Sequence, residues 1–158
     1  MSTCANIYAL FRTAPSSDRV REIETHLVAI LGERPWSRNS WDDDPEKFFT
    51  PIDTRLLEFT QQGKMTLGRF ERRIVGPLGP IDPTRFYGIN YLTRWWSVHS
   101  PEGPMHKYGK TMLYLLNQAD VEYVWFVPDE FYEAEPMTSV IVEHMMSRAA
   151  QLAEDEPT

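Results

Sequence analysis

RFYGINYLTRWWSV, residues 85–98, is the strongest strand signal in the chain. Its side chains fall into two alternating sets, because successive residues of a strand point to opposite faces of a sheet. One set holds Tyr87, Ile89, Tyr91, Thr93 and Trp95. The other holds Phe86, Asn90, Leu92, Trp96 and Val98. Aromatic and β-branched residues are frequent in both sets, so the stretch predicts a strand.

The chain before this stretch predicts a partner strand. Residues 64–75 (KMTLGRFERRIV) have the pattern of a strand with bases at its polar positions. Residues 76–83 (GPLGPIDP) hold two Gly and three Pro, which indicates a loop. We therefore expect the two strands to form an antiparallel hairpin with a long loop inside one domain.

The N-terminal third predicts a strand and a helix. Residues 6–12 form a short apolar run typical of a strand. Ser16 or Ser17 can cap a helix, and Gly32 can end it. Between these caps, apolar residues recur at intervals of three and four and make one stripe, formed by Val20, Ile23, Leu27, Ile30 and Leu31.

The C-terminal part predicts helices around one more strand. Residues 108–118 fit a helix, and Val121–Val127 has so few polar residues that we expect a central strand covered on both faces. Pro136 suits the first turn of a helix that runs to about Ala153, with residues 152–158 as a frayed tail. Its expected inward stripe is Met137, Val140, Ile141, His144, Met145, Ala149 and Leu152.

The order of these elements predicts the fold class. Strands and helices mix without strict alternation, which favours an α+β fold: a mostly antiparallel sheet with helices packed on it, in a single domain of residues 1–158. The one cysteine, Cys4, cannot form an internal disulfide, which fits a reducing compartment. We find no secretory signal and no apolar run long enough to span a bilayer, so we expect a soluble, cytoplasmic protein without membrane contact.

Charge is distributed unevenly along the chain. The first 110 residues hold 13 acids and 15 bases, and the remainder holds ten acids and one base. The two parts therefore carry +2 and −9 of the net charge of −7. An acidic surface beside large aromatic residues suits a basic protein partner and repels nucleic acid. We expect a protein partner with a basic surface.

Residues 127–136 (VPDEFYEAEP) contain the first candidate binding segment. Four acids surround two aromatic residues there: Asp129, Glu130, Phe131, Tyr132, Glu133 and Glu135. A connection between a strand and a helix is normally exposed, so the two rings are candidates for anchors within an acidic rim. The alternative is that both rings fold back to cap the core while the acids are solvated.

The second candidate segment, residues 41–46, begins with Trp41 and holds the densest group of carboxylates, formed by Asp42, Asp43, Asp44 and Glu46. It fits a solvated acidic loop, a contact with a basic partner, or a divalent cation held by Asp42 and Asp44. The loop lacks the glycine and the later glutamate of an EF-hand, so we predict no metal there. We assign it to partner binding, in support of the first segment.

No motif in the chain predicts catalysis or a cofactor. His144 lies on the apolar stripe of the last helix, where a hydrogen-bonded core histidine is the usual explanation. His99 and His106 flank a turn and could form a metal or acid–base site with Glu102, but the spacing matches no zinc pattern. We find neither a nucleophile elbow nor a glycine-rich phosphate loop.

Five arginines lie among the aromatic residues of the two central strands: Arg69, Arg72, Arg73, Arg85 and Arg94. Arginines beside aromatic rings can stack nucleic-acid bases. The alternative, which we favour, is that they pair with the acidic last third of the chain.

The chain resembles the small acidic immunity proteins that bacteria encode beside polymorphic or type VI-delivered toxins, and within that class immunity protein family 52. The resemblance lies in the strand Gly88–Leu92 through Arg94-Trp95-Trp96, the turn Glu102-Gly103-Pro104 and the unit Thr111–Asp129. It covers residues 85–135, about a third of the chain. It implies a single-domain inhibitor, without catalysis or cofactor, that binds a cognate toxin directly, and the toxin could be a nuclease.

Two other classes of function stay open from the sequence. One is a small metal- or histidine-dependent enzyme that uses His99 and His106. The other is a structural or phage-associated assembly protein, since exposed aromatic residues also serve self-association, a homodimer included.

Overall fold

The computed structural model describes residues 4–35, 47–52, 57–59, 64–67, 82–93, 106–128 and 133–155. Its strands are β1 (Cys4–Phe11), β2 (Thr50–Pro51), β3 (Leu57–Phe59), β4 (Met65–Leu67), β5 (Phe86–Thr93), β6 (Val121–Pro128) and β7 (Glu133–Ala134). Its helices are α1 (Ser17–Leu31), α2 (His106–Leu116) and α3 (Ser139–Asp155), and a 3₁₀ turn spans Pro83–Arg85. The fold is α+β, which confirms the predicted class.

The main sheet has four strands in the order β2-β5-β1-β6, and each neighbouring pair is antiparallel. β1 and β5 are therefore the central strands, and the prediction that Val121–Val127 is central is wrong. β1 takes the central place because it offers one edge to β5 and the other to β6. The predicted cover on both faces of β6 is confirmed, since Val124 and Trp125 are both 0% exposed and belong to separate core clusters.

A second sheet has the order β3-β4-β7. Because β4 pairs with β3 and β7, the predicted hairpin between residues 64–75 and 85–98 is wrong for the described part of the chain. β5 pairs instead with β1, from Cys4 opposite Thr93 to Leu10 opposite Phe86. Both strands are eight residues long, so they form a longer ladder than the three residues of β4 could. Residues 68–75 and 94–98 lie outside the described residues.

The two sheets and the helices enclose two core clusters. One lies on the helical side of the main sheet and includes Ile7, Leu27 and Met112. The other includes Trp125 of the main sheet together with Met65 and Ala134 of the second sheet. The main sheet therefore buries apolar side chains on both faces. None of the helices in the described ranges is long and apolar enough to cross a membrane.

Helix α1 has the predicted caps. Ser16 Oγ accepts the backbone N–H of Arg19 at 3.1 Å, and Gly32 has a φ of 76°, a left-handed conformation that glycine adopts without steric cost. The predicted stripe is buried at Ile23, Leu27 and Leu31. Ile30 departs from it and is 40% exposed.

Helices α1 and α2 lie side by side and run antiparallel. Arg19 in the first turn of α1 pairs with Asp120, which follows α2. At the opposite end, Glu33 follows α1 and pairs with Lys107 at the start of α2. These two contacts fix the direction of each helix relative to the other.

The residues after β7 close the outer edge of β6. The backbone N–H of Met137 donates to the carbonyl of Val124 at 2.7 Å, and Trp125 forms an antiparallel bridge with Pro136. Pro136 therefore lies in extended backbone, and its predicted place in the first helical turn is wrong. The free edge of β6 draws these residues into strand-like hydrogen bonding before the helix can begin.

Helix α3 starts later than predicted and faces the core with other residues. It begins at Ser139, where Thr138 Oγ1 accepts the N–H of Ile141 at 3.2 Å. Val142 is 0% exposed. Three members of the predicted stripe are exposed instead: Val140, Ile141 and His144. The prediction of a core His144 is therefore wrong, and residues 152–155 are helical where a frayed tail was expected.

Candidate functional site

Two strands of the main sheet end side by side. Thr93, the last residue of β5, lies opposite Cys4, and Pro128, the last residue of β6, lies opposite Ala5. We call this end of the main sheet the exit end. The chain leaves β6 from here toward residues 129–132, the aromatic part of the first candidate segment.

Two helix ends lie at the exit end as well. Tyr108, near the start of α2, packs on Phe126 near the end of β6 with ring centroids 5.6 Å apart. The neighbouring Lys107 forms an ion pair with Glu33, just after α1. The described chain ends at residue 35, before the acidic second segment at residues 41–46. It therefore also reaches the exit end.

Most of the predicted partner-binding residues lie outside the described residues: Trp41, Asp42, Asp43, Asp44, Asp129, Glu130, Phe131 and Tyr132. Glu133 begins β7 opposite Thr66, so the first segment connects the main sheet to the second sheet. Glu135 is exposed, and its carboxylate lies 3.4 Å from the ammonium of Lys64. Glu135 thus already has a basic partner within the chain.

Sequence reasoning missed a buried carboxylate that holds the other end of the second segment. Glu24 of α1 is 4% exposed, and its Oε2 accepts the backbone N–H groups of Phe48 at 2.8 Å and Phe49 at 3.1 Å. A buried carboxylate is tolerated only where hydrogen bonds compensate for lost water, and these two bonds do so. The signal was present in the sequence, because Glu24 lies between Val20 and Leu27 on the apolar stripe.

A polar network joins α1 to the turn after α2. Arg19 binds Asp120 in a bidentate pair, with Nε to Oδ2 and Nη2 to Oδ1 both at 2.9 Å. Its Nη1 donates to Glu22 at 3.0 Å, and Nη2 also donates to Gln118 at 2.9 Å. All three guanidinium nitrogens of Arg19 therefore have partners inside the chain, which makes Arg19 a structural group rather than one that is available to a ligand.

This network shifts the ionisation of its members. The hydrogen bonds from Arg19 hold the pKa of Asp120 below its ordinary value, although partial burial opposes the shift. The same pairing raises the pKa of Arg19. Burial raises the pKa of Tyr114, whose hydroxyl is hydrogen-bonded to Nδ1 of His26 at 3.0 Å. The charged pair of Arg19 and Asp120 is thus maintained throughout the neutral range.

Bases from the first part of the chain neutralise acids of the last third. Arg85 donates to Glu122 at 2.9 Å and, through Nε, to the carbonyl of Phe11 at 2.8 Å. For Arg85, the favoured prediction of pairing with the acidic last third is confirmed. Asp120 and Glu135 have bases as partners in the same way. Arg69, Arg72, Arg73 and Arg94 lie outside the described residues.

The histidines give no metal site within the part of the chain that the structure describes. His106 is half-buried at the start of α2, and His99 and Glu102 lie outside the described residues. Across the described ranges, no group of three or more His, Cys, Asp or Glu side chains is placed to hold a metal ion.

No protein-family model, curated protein or solved structure matches this chain.

Proposed function

We propose that this protein is an immunity protein that neutralises a cognate bacterial toxin by direct binding and performs no catalysis. The observation that carries the proposal is the contact of two adjacent residues: Lys107 with Glu33 and Tyr108 with Phe126. These contacts bring the end of α1 and the end of β6 together. The chain therefore enters residues 36–46 and residues 129–132 from the same end of a single scaffold.

A scaffold of this kind suits an inhibitor. Binding segments carried on a rigid sheet and helix pair lose less conformational freedom when they meet a partner. Residues 129–133 offer three acids around Phe131 and Tyr132, and residues 41–46 offer four acids beside Trp41. Acidic groups accelerate encounter with a basic surface, such as the substrate groove of a nuclease, and aromatic anchors slow dissociation.

Affinity capture with the tagged full chain from a lysate of its source cells tests the proposal directly. We expect one stoichiometric partner with a basic surface, identified by mass spectrometry, whose recovery falls when the salt concentration is raised. The captured protein must then lose its toxic activity when the purified chain is added. The absence of any partner at both salt concentrations would contradict the proposal and would direct attention to metal content and to turnover in a His106→Ala variant.

Truncation of one aromatic side chain tests the proposed anchor. Tyr132→Ala should weaken binding to the captured toxin by more than about 1 kcal/mol, mainly through faster dissociation. Val140→Ala is the matched control, because Val140 is 75% exposed on α3 and its truncation opens no cavity in the core. Unchanged affinity in Tyr132→Ala would remove residues 129–132 from the interface.

A further inference from the structure

Helix α3 is attached to the fold through a notch in α2. Among the described elements, α3 packs mainly against α2. A Cβ atom added at Gly109 of α2 would overlap Sδ and Cγ of Met146, and the three atoms nearest to that position all belong to Met146. The glycine therefore leaves a space that the thioether of Met146 fills, with the sulfur as the closest atom.

The neighbourhood of this sulfur combines solvent access with tight packing. Met146 is half-buried and packs on the core cluster that lies on the helical side of the main sheet. Val142, one turn earlier, is 0% exposed. An oxidant can thus reach the side chain from the solvent side. The opposite side packs against Gly109, in the space that a side chain at that position would occupy.

Oxidation of a thioether adds one oxygen atom to the sulfur. A lone pair of Sδ attacks an oxygen of hydrogen peroxide, the O–O bond breaks, an S–O bond forms, and the second oxygen leaves as water after proton transfer. The methionine is oxidised to the sulfoxide and the peroxide is reduced, and methionine sulfoxide reductases can reverse the change. The product is polar and larger at the atom that contacts α2.

We infer that Met146 is an oxidation-sensitive switch that controls the docking of α3 on α2. In the thioether form it fills the notch at Gly109 and holds Val142 in the core. In the sulfoxide form the side chain is larger and polar and no longer suits the apolar contact, so it leaves the notch, α3 separates from α2 and the apolar face around Val142 becomes accessible. The switch is reversible because methionine sulfoxide reductases convert the sulfoxide back to the thioether.

The test treats the folded full chain with hydrogen peroxide and follows two readouts. Peptide mass spectrometry gives the sulfoxide content at each methionine, and amide hydrogen exchange reports the opening of α3. We expect amide exchange in residues 142–148 to accelerate by about tenfold or more once Met146 is oxidised. After treatment with methionine sulfoxide reductase, the exchange rate should return to that of the untreated protein. Met146→Leu keeps an apolar side chain of similar volume and should abolish the effect of peroxide.

Met145→Leu is the matched control, because Met145 is adjacent on the same helix and is also half-buried. This variant should respond to peroxide as the wild type does. Full oxidation of Met146 without faster exchange in α3 would overturn the inference. Protection by Met145→Leu, or continued acceleration in Met146→Leu, would overturn it as well.

Discussion

At the scale of single residues, the pair of Arg19 and Asp120 makes stability depend on pH. Because the pKa of Asp120 is lowered in the folded state, the contribution of the pair is complete above the pKa of the unfolded chain, about 4, and is lost as the pH falls through the folded pKa. Asp120→Asn should lower the free energy of unfolding by about 1 kcal/mol at neutral pH, since the pair is partly exposed, and by less below about pH 3.

Urea denaturation at both pH values measures this difference. Glu143→Gln removes an exposed carboxylate of α3 and serves as the control, with no expected effect at either pH. An equal loss of stability in Asp120→Asn at neutral and acidic pH would show that the charge of Asp120 is not the cause.

Glu24 illustrates the other extreme, a carboxyl group enclosed by the core. Glu24→Leu leaves the N–H groups of Phe48 and Phe49 without their acceptor and should destabilise the protein by about 2–4 kcal/mol. Glu24→Gln retains a carbonyl oxygen in the same place and should cost about 1 kcal/mol. Denaturant unfolding gives both values, and amide exchange at Phe48 and Phe49 locates the change. A Glu24→Leu variant as stable as the wild type would mean that these amides have other acceptors.

At the scale of secondary-structure elements, the contact between α2 and α3 determines whether Gly109→Ala raises or lowers the free energy of unfolding. Alanine is favoured over glycine in a helix by about 1 kcal/mol, but a Cβ at position 109 overlaps Met146. We therefore expect Gly109→Ala to destabilise the wild type and to stabilise the Met146→Ala background by about 0.5–1 kcal/mol. A double-mutant cycle in urea measures this reversal. The same sign in both backgrounds would exclude tight packing at Gly109.

The elements also differ in how far the sequence predicts them. The start and end of α1 follow from Ser16 and Gly32, because a cap acts on the backbone beside it. The start of α3 does not follow from Pro136, because that residue bridges Trp125 in β6. A distant hydrogen-bonding edge overrides the local preference of a proline for the first helical turn.

At the scale of the whole molecule, the uneven charge of the chain becomes partly internal. Arg19, Lys64 and Arg85 come from the first part of the sequence, and each pairs with an acid of the last third: Asp120, Glu135 and Glu122 respectively. Pairing leaves the net charge of −7 unchanged. It gives these three carboxylates ion-pair partners within the chain. The acids proposed for the toxin interface are therefore those of residues 41–46 and 129–133.

The candidate surface follows from the sequence only in its composition. The acids and aromatic residues of the two segments are visible in the sequence. The entry of the chain into both segments from one end of the sheet is shown only by the contacts of Lys107 and Tyr108. Glu24 could have been found from its position on the apolar stripe of α1. Its acceptance of the amides of Phe48 and Phe49 could not, because those residues are more than twenty positions away.

The sequence by itself determined the α+β class, the caps of α1 and the extended character of residues 86–93 and 121–128. These depend on periodicity and on interactions between near neighbours, which act before the chain is folded. Only the tertiary structure decided that β5 pairs with β1, that β6 lies at an edge, and which face of α3 is buried. Strands with similar sequence patterns could pair in several ways, and only the packing of the whole core selects one pairing. The free energy of that packing depends on residues far apart in the sequence, so no short stretch of sequence predicts it.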